Sequence, residues 1–321
     1  MFKRLLNVSV MALCACALPA QVNAQAWPSK PIRVVVPFGP GSATDTITRL
    51  LIDKAGKSLG TTFVVDNKPG ANGLIAAREV VNAPKDGYTI IVSSNSAHAA
   101  NQYLYKNLGY DPVRDFAPIT GLTTNPHLLV VRSTLPVNNL RELIQYGKDN
   151  PGKLNFGAGN TGSLANSSLI SSLGGFSAVQ VPYKSPPPAV VDMLAGRVDF
   201  MSVDYFIVNE HIRAGALRPL AVTSKSRLSS LPNVPTVAET IPGYELNGWV
   251  AAFAPAGTPP ELIAKLNKAF TDVVRSPEFE RYMEQQGMQG FSTTPEELGA
   301  FQREQVTKWA DVLKKAGVER E

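Results

Sequence analysis

Apolar positions along the chain fall into alternating runs of two kinds. Ile32-Arg33-Val34-Val35-Val36-Pro37-Phe38 is nearly continuous in apolar residues, as a strand buried on both faces requires. After Gly39-Pro40-Gly41 the spacing changes, and Ile47, Leu50, Leu51, Ala55 and Leu59 recur at helical intervals until Gly60 ends the run. The same alternation predicts strands over 62–66 and 88–92 and a helix over 74–81. It restarts farther on, with strands over 128–131, 154–156, 179–182, 198–203 and 217–222. Helices over 140–148, 164–173, 189–195 and 207–214 separate them. This is the pattern of an α/β protein. The two halves share a plan of strand, Gly/Ser-rich loop and helix, without a residue-level repeat.

Two segments break the rhythm and read as joints. One is 116–126, with Pro118, Gly121 and Pro126; the other is 224–257, rich in Pro, Ser and Gly and holding the apolar run 249–253. Two joints mean that the chain leaves a first domain, builds a second and returns. The expected division is 25–122 plus 248–321 for the first domain and 123–247 for the second. Near the C-terminus, Thr258-Pro259-Pro260-Glu261 and Thr294-Pro295-Glu296-Glu297 each combine an N-cap, an early Pro and a capping-box acid. Leu262, Leu266, Phe270 and Val273 stripe the first of these helices, and Leu298, Phe301, Trp309 and Val312 the second.

The first residues follow a different logic. Lys3 and Arg4 precede an apolar stretch, 5–18, too short to span a bilayer, and Val22-Asn23-Ala24 is a small–x–small cleavage pattern. Residues 1–24 read as a secretory signal, with Ala26 as a competing cleavage end. Cleavage leaves 297 residues and takes the net charge from +5 to +3. Cys14 and Cys16 both lie in the signal, so the exported chain has no thiol, disulfide or thiolate metal ligand. Leu13-Cys14-Ala15 is a poor lipobox for a lipidated Cys16. A bacterial periplasm is the expected location. Composition adds bounds: 321 residues, 44% of them hydrophobic, fit about two packed domains and exclude general disorder. One long apolar stretch excludes a multi-span membrane protein. A mild, mixed charge argues against a nucleic-acid partner.

Three strand-to-helix loops carry candidate chemistry: Phe38-Gly39-Pro40-Gly41-Ser42-Ala43-Thr44-Asp45, Ser93-Ser94-Asn95-Ser96-Ala97-His98 and Gly157-Ala158-Gly159-Asn160-Thr161-Gly162-Ser163. Small residues expose backbone N–H groups, hydroxyls and amides donate, and helix N-termini favour negative charge, so these loops suit an anion. Each alone reads first as a capped turn; three together point to a cleft between domains. The third loop spells G-x-G-x-x-G, but the following strand lacks the acid that would hold a ribose, and in the first loop Thr44 replaces the last Gly. Dinucleotide binding is therefore not expected, and no cofactor is. His98, His127 and His211 lack ligand spacing, so no metal site is expected, and neither a P-loop nor a G-x-S-x-G elbow occurs. His98 is either a ligand contact or a locally bonded helix-start residue. Asp204 either binds an ammonium or hydroxyl donor or caps the helix after it. Tyr183 either lines the cleft or packs in a wall, and Lys184 is a counter-charge or a solvated side chain.

Several stretches resemble one family closely. Trp27-Pro28-Ser29-Lys30-Pro31-Ile32-Arg33, Val36-Pro37-Phe38-Gly39-Pro40-Gly41 with Asp45, Asp66-Asn67-Lys68-Pro69-Gly70-Ala71-Asn72-Gly73, Pro84-Lys85-Asp86-Gly87-Tyr88-Thr89 and Tyr110-Asp111-Pro112-Val113-Arg114-Asp115-Phe116-Ala117-Pro118 are similar to the Bug family. These are the periplasmic solute-binding proteins of tripartite tricarboxylate transporters. Val181-Pro182-Tyr183-Lys184, Leu220-Ala221-Val222-Thr223-Ser224, Leu231-Pro232-Asn233-Val234-Pro235-Thr236 and Ala254-Pro255-Ala256-Gly257-Thr258-Pro259 extend the resemblance over the mature chain.

The resemblance implies an α/β, two-domain type II periplasmic binding protein, a Venus flytrap with two crossover strands. It implies capture of a small organic carboxylate, aliphatic or aromatic, mono- or dicarboxylate, by hinge closure, without an Arg clamp, and delivery to membrane permease subunits. Ligand contacts are then expected from Phe38, Gly39, Pro40, Gly41, Ser42, Thr44 and Asp45, from Ser93, Ser94, Asn95, Ser96 and His98, and from Gly159, Asn160, Thr161, Gly162 and Ser163. Tyr183 and Asp204 complete the set, Asp204 where ligands are discriminated. Departures from the family are Ser42, Ser185 before Pro186-Pro187-Pro188, and Asn166. A secreted α/β enzyme acting on an organic acid and a ligand sensor for a receptor are the alternatives; a monomer is the default.

Overall fold

The computed structural model describes residues 27–320. The expected signal, with Cys14 and Cys16, lies outside the described residues. The chain runs β1 (Ile32–Val36), α1 (Ala43–Leu59), β2 (Phe63–Asn67), α2 (Leu74–Val81) and β3 (Thr89–Ser94). A π-helical turn (Ser96–Ala100) then leads into α3 (Asn101–Leu104) and β4 (Phe116–Asn125). Next come β5 (His127–Arg132), α4 (Leu140–Asp149), β6 (Asn155–Ala158), α5 (Thr161–Gly174), β7 (Val179–Pro182), α6 (Pro186–Leu194), β8 (Phe200–Asp204), α7 (Tyr205–Arg213) and β9 (Leu217–Val222). The chain ends with β10 (Gly248–Pro255), α8 (Pro260–Val274), α9 (Pro277–Gln285), β11 (Gln289–Gly290) and α10 (Pro295–Lys315).

These strands make two sheets, one per lobe. The first has the order β11-β4-β10-β3-β1-β2, with β1 parallel to β2 and β3, and β10 antiparallel to β3 and β4. The second has the order β7-β6-β8-β5-β9, with β6 parallel to β7 and β8, and β5 antiparallel to β8 and β9. The two-lobed α/β architecture expected from the sequence is the one observed.

The first segment read as a joint is mostly strand, and the second holds a strand near its end. β4 and β10 pair antiparallel from Asn125↔Gly248 to Phe116↔Pro255. Pro118 sits opposite Phe253, beside a register shift, where a strand tolerates a residue that cannot donate to the ladder. Gly121 admits Phe291, since a Cβ there would lie 2.4 Å from its ring. The chain passes from the first sheet to the second at Pro126, between β4 and β5, and returns between β9 and β10. Thr223, fully buried, ties the two passages: its hydroxyl accepts from the His127 N–H (2.8 Å) and donates to Asn247 Oδ1 (3.4 Å).

The helices begin earlier than their apolar stripes. α1 starts at Ala43 after the Ser42 cap, α5 at Thr161 after the Asn160 cap, and α6 at Pro186. Pro at the first positions of α6 sacrifices no hydrogen bond, because those N–H groups have no helical partner. The three prolines thus open a helix. α9 and β11 escape the periodicity altogether, being short.

One apolar cluster runs from Val35 and Ile91 through Phe253 and Trp309 to Phe156 and Phe200, so α10 and α5 knit the lobes behind the cleft. Each large side chain fully buried there contributes about 1.5–3 kcal/mol. His98 belongs to this interior. Its ring stacks on Phe253 at 3.9 Å between centroids and meets the edge of Phe116 at 4.6 Å. Burial pushes its pKa down to about 3 from an ordinary 6.5. The unfolded chain therefore binds a proton in a range where the folded protein does not. Stability is fully present above pH 6.5 and falls as the pH drops below it. One such proton gives a slope of up to about 1.4 kcal/mol per pH unit. His98→Phe, which keeps the stack, should flatten the dependence between pH 6.5 and 5 in denaturant titrations. An unchanged slope would assign the proton uptake to another group.

Candidate functional site

The three small-residue loops converge on one cleft between the lobes. Phe38, Ala43 and Thr44 of the first loop, Ser94 and Asn95 of the second, Asn160 and Gly162 of the third, and Asp204 all border it. Asn125, His127, Gly248, Trp249 and Val250 form the remainder of its wall. The lobes close tightly here: the space open to the centre of a water-sized sphere is about 20 Å³, room for about one water. Among the described residues, no Lys or Arg lines the cleft.

The first loop is held from within. Ser42 Oγ accepts the Asp45 N–H (3.3 Å) as the α1 cap. The buried Asp45 carboxylate accepts from the Gly41 N–H (3.0 Å), Arg49 Nε (3.0 Å) and Asn67 Nδ2 (3.0 Å). Burial works to raise the Asp45 pKa, but the bonds from Arg49, Asn67 and Gly41 outweigh it and keep the pKa below the usual carboxylate value. Asp45 thus shapes the loop, and its charge is answered before any ligand arrives. Pro40 and Gly41 stand at the exposed rim, and Gly39 lies so close to the opposite lobe that a Cβ on it would be 3.0 Å from Ser185 Oγ.

The second and third loops meet each other. Ser96 Oγ accepts the Thr161 N–H across the cleft (3.3 Å). Asn160 caps α5 by accepting the Ser163 N–H (2.7 Å), and Ser163 Oγ donates to the same oxygen (3.1 Å). Caps at Ser42 and Asn160 satisfy one N–H each, so Thr44 and Gly162 keep first-turn N–H groups that face the cleft. In the second and third loops Ser93 Oγ, Asn95 Nδ2, Thr161 Oγ1 and both ring nitrogens of His98 are buried without a partner, and of these residues Asn95 borders the cleft. Such a group costs about 1–3 kcal/mol when nothing satisfies it.

The glycines of the third loop answer to packing. A Cβ on Gly159 would sit 2.4 Å from the Pro186 nitrogen, and one on Gly162 would sit 2.6 Å from His127 Cε1. The small residues let α6 and β5 approach, and the space a pyrophosphate would need is filled by protein.

The floor comes from sheet register. His127 lies opposite Asp204 in the β5–β8 pair, and Ser202, two residues before Asp204, shares its face. His127 Nε2 is 4.0 Å from Asp204 Oδ1, and His127 Nδ1 is 3.4 Å from Ser202 Oγ. Burial lowers the His127 pKa, with Asp204 offsetting part of that effect. Asn125 Nδ2 donates to Asp204 Oδ1 (3.3 Å) while its own oxygen accepts from Thr123 (2.6 Å). Asp204 occupies the cap position of α7 but makes no capping bond. Of the two sequence readings of this residue, the helix cap is not the one realised. Gly248 keeps the corner open: a Cβ there would meet Asn95 Oδ1 at 3.3 Å.

Of the sequence candidates, Phe38, Thr44, Ser94, Asn95, Asn160, Gly162 and Asp204 border the cleft, whereas His98 and Tyr183 face other surroundings. His98 packs in the core, for its loop winds into a π-turn that turns the ring inward onto Phe253. Tyr183 donates to Asp192 (2.7 Å) and borders a separate groove. Asn125, His127, Gly248 and Trp249 were missed by sequence reasoning because they lie at the ends of the supposed joints. The apolar run 249–253 was the one available signal.

Two α/β lobes, two strands crossing between them and a polar cleft lined from both sides define a two-domain solute-binding protein. More narrowly, residues 47–318 match the tripartite tricarboxylate transporter family receptor, and the chain belongs to that family, to which the Bug proteins are related. BugT of Bordetella pertussis is 34% identical over 98% of both chains. The R. palustris protein Rpa4515, solved with adipate, is 33% identical with a TM-score of 0.89 over 92% of this chain and 100% of its own. MatC (Rpa3494) from Rhodopseudomonas palustris, solved with bound malate, is 31% identical with a TM-score of 0.84 over 89% and 99%.

Gly159→Ala tests the packing role of the third loop. The added methyl meets Pro186 backbone, which has no side-chain freedom to yield, so a loss of about 1–3 kcal/mol is expected in chemical denaturation. An unchanged midpoint would show that α6 can move away without strain.

Proposed function

We propose that this protein is an extracytoplasmic binding protein that captures a small organic carboxylate by closure of its lobes and hands it to a tripartite transporter. The observation that carries this reading is the cleft itself: the unpartnered Asn95 amide and the first turns of two helices, one from each lobe, border one space with no Lys or Arg among the described residues. Backbone N–H groups and hydroxyls arranged this way stabilise a carboxylate. Adipate and malate in the related structures are of that class. With about 20 Å³ of space in the closed form, entry requires the lobes to part, and a ligand touching both lobes stabilises closure by its differential affinity. The signal-like N-terminus supports export to the periplasm.

The enzyme alternative finds less support. A nucleophile would have to face the cleft, yet Ser202 is fully buried behind His127, and Asp204 holds the cleft position. The order is the reverse of a hydrolytic triad, where the serine meets the substrate.

Thermal-shift screening of residues 25–321 against aliphatic and aromatic mono-, di- and tricarboxylates, amino acids and nicotinate tests the proposal. A ligand at 100 times its Kd should add about 2.7 kcal/mol of stability. It should bind one-to-one and be recovered unchanged. Asn95→Asp, which removes the unpartnered amide donor at the cleft, should weaken that ligand about tenfold by titration calorimetry while leaving the fold intact. No shift with any carboxylate would overturn the reading, and conversion of the ligand would favour the enzyme.

A further inference from the structure

Asp204 is an anomaly in a site built for an anion. It is 4% exposed, borders the cleft, caps nothing and faces no cation. Its polar side-chain partners among the described residues are Asn125 Nδ2 at a long 3.3 Å and His127 Nε2 at 4.0 Å. His127 does not supply the missing charge, since burial favours its neutral form. A buried carboxylate with so little compensation is unfavourable unless a donor reaches it, and the cleft is the one side from which a donor can come. A second carboxylate there would meet like charge. The other lobe, which brings the first turn of α1 and the unpartnered Asn95 amide to the cleft, has the reverse preference.

We infer that Asp204 selects the ligand: the protein takes a monocarboxylate whose other end carries a hydrogen-bond donor, an ammonium or a hydroxyl, and rejects the dicarboxylate of equal length. This rests on the carboxylate reading above and orients the ligand within it. The carboxylate lies against the N-terminus of α1 and the Asn95 amide, and the donor lies between Asp204, Asn125 and His127.

The test is calorimetric titration of the mature protein with two matched series. One is butanoate, 4-hydroxybutanoate, 4-aminobutanoate and succinate; the other is benzoate, 4-hydroxybenzoate, 4-(aminomethyl)benzoate and terephthalate. In at least one series the amino or hydroxy member should bind tenfold or more tighter than the dicarboxylate, and which of the two leads identifies the donor. Asp204→Asn keeps the shape and removes the charge. It should weaken the favoured member at least tenfold and narrow or reverse its margin over the dicarboxylate, with circular dichroism showing an unchanged fold. The wild-type ratio tests the inference even if the variant fails to fold. A dicarboxylate that binds wild type as well as or better than the donor-bearing member overturns the role of Asp204 and leaves carboxylate capture standing. Failure of every member of both series to bind overturns both.

Discussion

The antiparallel pairing of β4 with β10 is the constraint on which the site depends. It places the outgoing and returning chain side by side at the centre of the first sheet and delivers both to the same edge of the cleft. Asn125 and Gly248 are the last pair of that ladder, so the floor of the cleft is also the point where the lobes join. Thr223 extends the link into the second sheet by bonding to the first residue of β5 and to Asn247. Any rotation of one lobe against the other is thereby concentrated in a few residues that also touch the cleft. Hinges of this kind need only small changes at element ends to move whole domains.

Charge is arranged around this floor with a clear division. Asp45 is neutralised within its own loop by Arg49, Asn67 and Gly41, and so positions the first turn of α1 without presenting a carboxylate to the cleft. Asp204 is left nearly bare. The two acids share a local context, each at the junction of a strand and a helix. The difference follows from their neighbours: β2 brings Asn67 to Asp45, whereas β5 brings only a neutral His127 to Asp204.

Much of the architecture was legible in the sequence because burial on both faces forces near-continuous apolar strands such as Val34-Val35-Val36. The three loops were legible for a related reason. Each follows such a strand, and small polar residues there have no core to join. What escaped notice did so on physical grounds. β4 carries Pro118 and Gly121, which ordinarily argue against a strand, and only the bulge and the inserted Phe291 reveal why both are tolerated. The first turns of α1 and α5 were missed because hydrophobic periodicity sees only the side of a helix that faces the core. Those turns face the cleft, so the residues that defeat the pattern are the residues of the site. His98 shows the converse error: a polar residue in a promising loop, drawn inward by aromatic partners that lie far away in sequence, at Phe116 and Phe253.

That no Lys or Arg among the described residues lines the cleft has a consequence for the proposed capture and release. A desolvated guanidinium–carboxylate pair is strong, bidentate and slow to break. In the proposed capture, neutral N–H groups supply weaker terms that are split between the lobes, with Thr44 and Asn95 on one side and Asn160 and Gly162 on the other. Opening the hinge then removes about half of the contacts at once, and neither lobe alone retains a full set. Affinity in such a design resides in the closed geometry, which a partner can undo mechanically, and not in one strong contact that would have to be displaced.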